Sequence, residues 1–220
     1  MTSVDPRLVS ALQAQLEGWR AALAAGAERV GWKLGKGDAE KIGPGPVIGH
    51  LTSATRLEPG ASYRPPPTPA LHADAELALE LGRDVEPGCG GASARDAITA
   101  CGAAIELVDL AASSADPEQI VADNVFHLAH ALGPMRAAPP PGEVGARLIV
   151  SGEERAWGTA TPGVGELVGA VAVLLSAVGE RLQAGDRLIT GSIVQVPVER
   201  GSEVVADLGP LGRVGLRTEG

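Results

Sequence analysis

Along Leu71-His72-Ala73-Asp74-Ala75-Glu76-Leu77-Ala78-Leu79-Glu80-Leu81 every polar residue falls at an even position. A period of two predicts a strand, with His72, Asp74, Glu76 and Glu80 on one side and Leu71, Ala73, Ala75, Leu77, Leu79 and Leu81 on the other. Ala, Leu and Glu also favour helix, and at about 100° per residue Asp74 and Glu76 would then diverge. The boundaries decide for strand: Pro65, Pro66, Pro67 and Pro69 stand ahead of the run, and Gly82 and Pro87-Gly88-Cys89-Gly90-Gly91 close it. Acidic residues on the wet face of a half-buried antiparallel strand are ordinary, so the pattern pairs two carboxylates without giving them a role.

Other stretches carry their own periods. Asp5 as N-cap, Pro6 at the first helical position, and Leu8, Leu12, Leu16 and Trp19 at helical spacing predict an amphipathic helix over residues 6 to 25, stopped by Gly26. Val30 to Gly35 reads as a short strand, and the Gly- and Pro-rich run Gly37 to Gly49 as a loop of the kind that covers sites. Arg95 to Cys101 reads as a short helix. Ala103 to Asp109 reads as a second strand, with Glu106 and Asp109 on opposite faces. Asp116-Pro117-Glu118 starts a turn leading into Val121 to His127, and Pro134 ends that unit.

In the last third, Ser151-Gly152-Glu153-Glu154 reads as a hairpin turn. Leu167, Val168, Val171, Leu174, Leu175, Val178 and Leu182 predict a core-facing helix from Gly165 to Leu182. Residues 187 to 190, 203 to 208 and 212 to 217 read as short strands separated by Gly-containing turns. The class is α+β, with an antiparallel or mixed sheet curved into a β-roll. Pro139-Pro140-Pro141 serves as a stiff connector inside one domain.

Composition narrows the function classes. A chain of 220 residues that is 45% apolar buries a substantial core. A net charge of −9, with three Trp, one Tyr and one Phe, argues against nucleic acid as a partner. Cys89 and Cys101 form neither a disulfide framework nor a zinc knuckle. Met1 to Pro6 lacks a basic start followed by an apolar stretch, and Leu167 to Val178 is too short to span a bilayer. The expectation is a cytoplasmic protein with no membrane partner.

The chemistry worth pursuing is a hard-cation site. Asp74 and Glu76 lack a third oxygen ligand, and the strand carrying Glu106 offers one. Three carboxylates, with the remaining octahedral positions left to water or substrate, suit Mg²⁺ or Mn²⁺. Gly31-x-x-x-Gly35-x-Gly37 precedes no helix, as a dinucleotide loop requires, and no Ser sits in a Gly-x-Ser-x-Gly elbow.

Several separated strings occur together: Gly31-Trp32-Lys33-Leu34-Gly35, the acidic strand ending in Gly82-Arg83-Asp84, Ile105-Glu106-Leu107-Val108-Asp109, Val121-Ala122-Asp123-Asn124, Leu132-Gly133-Pro134, and Leu182 to Ser192. In this order, over about residues 28 to 217, the chain resembles the fumarylacetoacetate hydrolase superfamily. The resemblance is greatest to its 2-keto-4-pentenoate hydratase and 4-oxalocrotonate decarboxylase branch. It implies a mixed β-sheet roll with flanking helices, residues 1–27 forming a helix packed on one catalytic domain of residues 28–220, and a homo-oligomer.

The same resemblance assigns the metal ligands to Asp74, Glu76 and Glu106, and places Lys33 where a cation steadies a substrate carboxylate or a developing enolate. It implies a lyase acting on a small-molecule 2-oxo acid or 2-hydroxydienoate through a metal-chelated enolate. A decarboxylase, an acylpyruvate-type C–C hydrolase and a catalytically degenerate binding or scaffold subunit are the alternatives. The chain departs from the branch at Asp74, where Glu is usual, at Val47, where the hydratases carry Asp, and at Phe126 or His127, where they carry Ser. A Val moves no proton, so His72, two residues from Asp74 on the same strand face, is the candidate base or partner of the ligands. His50 and His127 read as ordinary structural residues.

Overall fold

The computed structural model describes residues 4–35, 46–112, 116–137 and 140–220. Helix α1 (Pro6–Ala24) opens as expected, with the Asp5 side chain accepting the Arg7 N–H at 2.9 Å and Pro6 in the first turn. Its buried face carries Ala11, Leu12, Gln15, Leu16 and Trp19. Gln15 Nε2 donates to the carbonyls of Ile48 and Val121 at 3.0 and 2.5 Å, which ties the helix to two later segments.

The strands that follow are β1 (Arg29–Gly35), β2 (Val47–Thr52), β3 (Arg56–Leu57), β4 (Ser62–Tyr63), β5 (Leu71–Leu81), β6 (Ile98–Asp109) and β7 (His127–Leu132). Then come β8 (Val144–Val150), β9 (Glu153–Ala160), β10 (Arg187–Ile189), β11 (Val194–Pro197), β12 (Glu203–Asp207) and β13 (Arg213–Thr218). Helices α2 (Gly91–Arg95), α3 (Pro117–Ala122) and α4 (Val164–Ala177) lie between them. Among the described residues one sheet runs β2-β1-β10-β5-β6-β7-β3, with β11 also on β5, and a second runs β4-β13-β12-β8-β9. Parallel pairs, β1 with β10 and β3 with β7, make the first sheet mixed.

That first sheet is rolled. β2 and β3 stand at opposite ends of its strand order, yet only residues 53–55 separate them in the chain, and the Thr55 carbonyl accepts the His130 N–H of β7 at 2.9 Å. The outer face of β5 packs with β8 and β12 of the second sheet into the main core, which takes Leu71, Ala73, Ala75, Leu77, Leu79 and Leu81. The inner face of the roll has a separate apolar floor of Val30, Leu51, Ala78, Ala104, Leu132 and Ile189. Each large aliphatic side chain so buried is worth about 1.5–3 kcal/mol, and the even-numbered side chains of β5 lie along this face.

Several predicted elements shift. Arg95 to Cys101 is not a helix: α2 ends at Arg95 and β6 begins at Ile98, because pairing along the full length of β5 extends the strand backwards. Val47 to Gly49 is strand, drawn into the sheet by pairing with β1, while residues 37–45 of the predicted loop lie outside the described residues. The helix predicted to reach Leu182 ends at Ala177, and Leu182 instead bridges to Val85. The turn expected at Asp116-Pro117-Glu118 is instead the start of a helix, α3, which Asp116 caps by accepting the Glu118 N–H at 3.1 Å. Among the described residues no helix is long and apolar enough to cross a membrane.

Candidate metal centre

β5 and β6 are antiparallel in a register that sets Asp74 opposite Glu106 and Glu76 opposite Ala104. Cross-strand partners share a face and stand about 4.5–5.5 Å apart at Cβ. The three carboxylates therefore meet, and a ligand oxygen from each lies within 4.8 Å of the others. All three residues are buried inside the roll, so the face predicted to be wet is enclosed. Asp109, at the end of β6, accepts the Thr68 hydroxyl and the Ala111 N–H and stays outside the group.

Lys33 reaches the same space from β1. Its ammonium donates to Oε1 of Glu106 and, at 2.8 Å, to the Val125 carbonyl. Gly49, opposite Lys33 on β2, makes room: a Cβ there would stand 2.8 Å from Lys33 Cγ and 2.6 Å from Asn124 Oδ1. His127 brings its Nδ1 to 2.7 Å from that same Glu106 oxygen, and its Nε2 lies 2.9 Å from Thr55 Oγ1.

The three carboxyls do not share one electrostatic fate. Burial pushes Glu106 up, but Lys33 and His127 outweigh it and hold the carboxyl down at about 2. Burial, reinforced by the Glu106 charge, lifts Asp74 to about 7, with Gln195 and Ser192 pulling the other way. Burial, then Glu106 and Asp74, lift Glu76 well above its ordinary value against the Gly191 N–H. Burial likewise holds the His127 ring below its usual range despite Glu106. Fully ionised, three carboxylates and one ammonium leave two negative charges, which a divalent cation neutralises.

The donor set fits such an ion. Asp74 Oδ1 is buried without a hydrogen-bond partner. Glu76 Oε2 accepts the Gly191 N–H at 2.8 Å, and both donors to Glu106 address Oε1, so the second oxygen of each remains for a ligand. Hard carboxylate oxygens suit Mg²⁺, Mn²⁺ or Ca²⁺.

A break in the sheet shapes the approach. β10 pairs with β5 up to Ala78, β11 resumes at Ala75, and between them Thr190 and Ile193 still donate to the Leu77 and Ala75 carbonyls while residues 191–192 loop out beside Glu76. Gly191 takes φ of +91°, which turns its N–H onto the carboxylate instead of into the ladder. The loop forms one wall of a cavity of about 490 Å³ whose other walls include Leu34, Gly35, Pro46, Thr159, Thr161 and Leu167.

Of the residues singled out from the sequence, Lys33, Asp74, Glu76 and Glu106 come together. His72 does not join them; its Nδ1 lies 3.0 Å from the carbonyl of Ala70, just before its own strand. The histidine at the site is His127, which no periodicity distinguished, because it is the fold over residues 123–127 that aims it. Val47 belongs to the outer core, and a Cβ on Gly35 would meet both Val47 and Val125. His50 and His130 are also near. Burial, with His127 next, lowers them to about 4 and about 3.

No protein-family model and no curated protein sequence matches the chain. Solved structures do. The 4-oxalocrotonate decarboxylase from Pseudomonas putida G7 complexed with magnesium and adipate superposes with a TM-score of 0.82 at 24% identity, over 96% of this chain and 86% of that one. The chain has the fumarylacetoacetate hydrolase fold. The same decarboxylase complexed with calcium and acetate gives a TM-score of 0.83 at 24% identity, over 96% of this chain and 85% of that one. Fumarylpyruvate hydrolase from Pseudomonas aeruginosa in complex with Mn²⁺ and pyruvate gives 0.69 at 17% identity, over 87% and 90%. Within this fold the neighbours are a decarboxylase, hydrolases and isomerases, so the architecture accommodates several reactions.

Proposed function

We propose that the protein is a divalent-metal-dependent lyase acting on a small 2-oxo acid or 2-hydroxydienoate, resembling 2-keto-4-pentenoate hydratase. Asp74, Glu76 and Glu106 hold the ion. The observation that carries this reading is the meeting of three buried carboxylates with the buried Lys33, a cluster whose charge is costly unless a cation completes it. Neighbouring structures of this fold that hold magnesium with adipate and Mn²⁺ with pyruvate support it.

When bound, the ion supplies Lewis acidity to the oxygens of the 2-oxo acid. Lys33, fixed between Glu106 and the Val125 carbonyl, holds positive charge where negative charge develops on the substrate. The enclosing roll excludes water and strengthens that attraction. The cavity beside Gly191 and Ser192 receives the rest of the substrate; its described lining has no charged side chain and suits an uncharged tail.

A panel of 2-oxo acids with Mg²⁺ or Mn²⁺, followed by loss of enol absorbance and by CO₂ release, tests the assignment. Enol loss without CO₂ identifies hydration, and CO₂ identifies decarboxylation. Cleavage to two acids identifies a C–C hydrolase. Absence of both metal binding and turnover overturns the enzyme reading in favour of a scaffold subunit.

A further inference from the structure

We propose that His127 is the positioning residue of this metal centre: it fixes one oxygen of Glu106 so that the other is presented to the cation. The inference rests on the metal-dependent reading above. The His127 side chain is 1% exposed and lies between two partners, Glu106 Oε1 and Thr55 Oγ1. A neutral ring with its proton on Nδ1 satisfies both, donating to the carboxylate and accepting from the hydroxyl. The His130 ring, 5.6 Å away between centroids and tilted by 40°, packs beside it.

The backbone that delivers His127 is under strain. Asn124, Val125 and Phe126 have φ of 62°, 53° and 63°, three consecutive non-glycine residues in the left-handed region. Each such residue costs about 1–3 kcal/mol and persists only where its surroundings over-determine it. For a β-branched valine the conformation is a true outlier.

The restraints are visible. Asn124 Oδ1 accepts the His50 N–H at 2.7 Å and its Nδ2 donates to the His50 carbonyl at 3.1 Å. The Val125 N–H donates to the Ile120 carbonyl at 2.8 Å, while the Val125 carbonyl takes the Lys33 ammonium. This left-handed turn reverses the chain from α3 into β7 and sets the Lys33 acceptor and the His127 ring on one side of Glu106.

Positioning follows from the geometry. A lysine is a flexible point charge that can slide to bridge both oxygens of a carboxylate. A planar ring held between Glu106 and Thr55 keeps Oε1 in place, so Lys33 alone does not capture both oxygens. Partners behind the ligands typically contribute 10–100-fold to metal affinity.

The test is Mn²⁺ binding to the full chain by electron paramagnetic resonance, a readout independent of turnover, with melting in EDTA measured alongside. His127→Ala is expected to weaken Mn²⁺ binding by about 10–100-fold. His127→Asn, whose amide N–H stands in for Nδ1–H, should recover most of it, and Thr55→Val should cause a smaller loss in the same direction. If His127→Ala lowers the melting temperature but leaves Mn²⁺ affinity unchanged, His127 only fills space and the proposal is overturned. Should His127→Ala not fold, unchanged affinity in Thr55→Val overturns it equally. Failure of the unaltered protein to bind Mn²⁺ removes the metal-centre reading itself, and this inference with it.

Discussion

Lys33 and Glu106 form an ion pair inside the rolled sheet, each side chain only 2% exposed. Neither charge reaches water, so each depends on the other. Lys33→Met in metal-free protein is expected to cost about 3–5 kcal/mol, the usual loss when one partner of a buried pair is removed. Lys33→Met combined with Glu106→Gln should be less destabilised than the single variant. Denaturant melts in EDTA check both, and a double variant no better than the single contradicts the pairing.

Asp74 and the buried histidines predict opposite pH slopes. The Asp74 carboxyl titrates at 3.8 when unfolded and at about 7 when folded, so between those values the folded state holds a proton that the unfolded state has shed. Its contribution to stability is therefore full below 3.8 and lost as pH rises through about 7. His50 and His130, lowered from 6.5 to about 4 and about 3, act in reverse and remove stability as pH falls below 6.5. Asp74→Asn in EDTA should thus gain melting temperature over the unaltered protein progressively from pH 5 to 7 and hold that gain above it. A gain that shrinks with rising pH would refute the assignment.

Added Mg²⁺ or Mn²⁺ should stabilise the protein by mass action, about 2.7 kcal/mol at a hundredfold excess over the dissociation constant. The shift should be larger at pH 8 than at pH 5.5, because metal and protons compete for Asp74 and Glu76. Glu76→Gln should abolish most of it. Equal metal shifts in Glu76→Gln and the unaltered protein would mean the ion binds elsewhere.

Thr159 is exposed at the wall of the cavity, whose described lining carries no charged side chain. Thr159→Lys adds a cation there at little structural cost. Calorimetry with Mg²⁺ present should show the unaltered protein preferring 2-oxohexanoate over the dicarboxylate 2-oxoadipate, and the variant narrowing or reversing that preference. Equal binding of both acids by both proteins would show that the tail does not occupy this cavity.

Asp186 anchors a cation near the surface. Arg29 donates to its two oxygens at 2.6 and 2.5 Å, with its guanidinium 5.6 and 5.3 Å from the ring centres of Trp19 and Trp32. Asp186→Ala leaves that guanidinium largely enclosed and unpaired, at an expected cost of about 2–3 kcal/mol in thermal or denaturant melts. A change below about 0.5 kcal/mol would place it among ordinary surface substitutions.

Alternation together with the Pro and Gly boundaries determined β5, because a long strand with one wholly apolar face has a single register that buries it, and Leu71–Leu81 is the observed strand. Capping chemistry determined the start of α1 in the same local way. Periodicity could not say that the acidic face is enclosed. A strand buried on one side and a strand inside a roll differ in their neighbours, and those neighbours come from β1, β7 and the turn over residues 53–55 that bonds to β7. The short strands β3, β4 and β11 escaped the sequence reading because two to four residues carry no measurable period; pairing defines them.

Asp74, Glu76 and Glu106 are legible as hard-cation ligands by residue type and strand, whereas Lys33 joins them only through the family resemblance. His127 was not, and His72 was favoured on strand parity although its ring turns to Ala70. Parity states which face a side chain leaves from; it says nothing of which strand lies across from it. The sequence determined the residue types able to hold a hard cation and the strands that carry most of them. Tertiary structure alone decided their meeting, since the β5–β6 register, the break at Gly191 and the left-handed turn before His127 are satisfied only by contacts between segments distant in the chain.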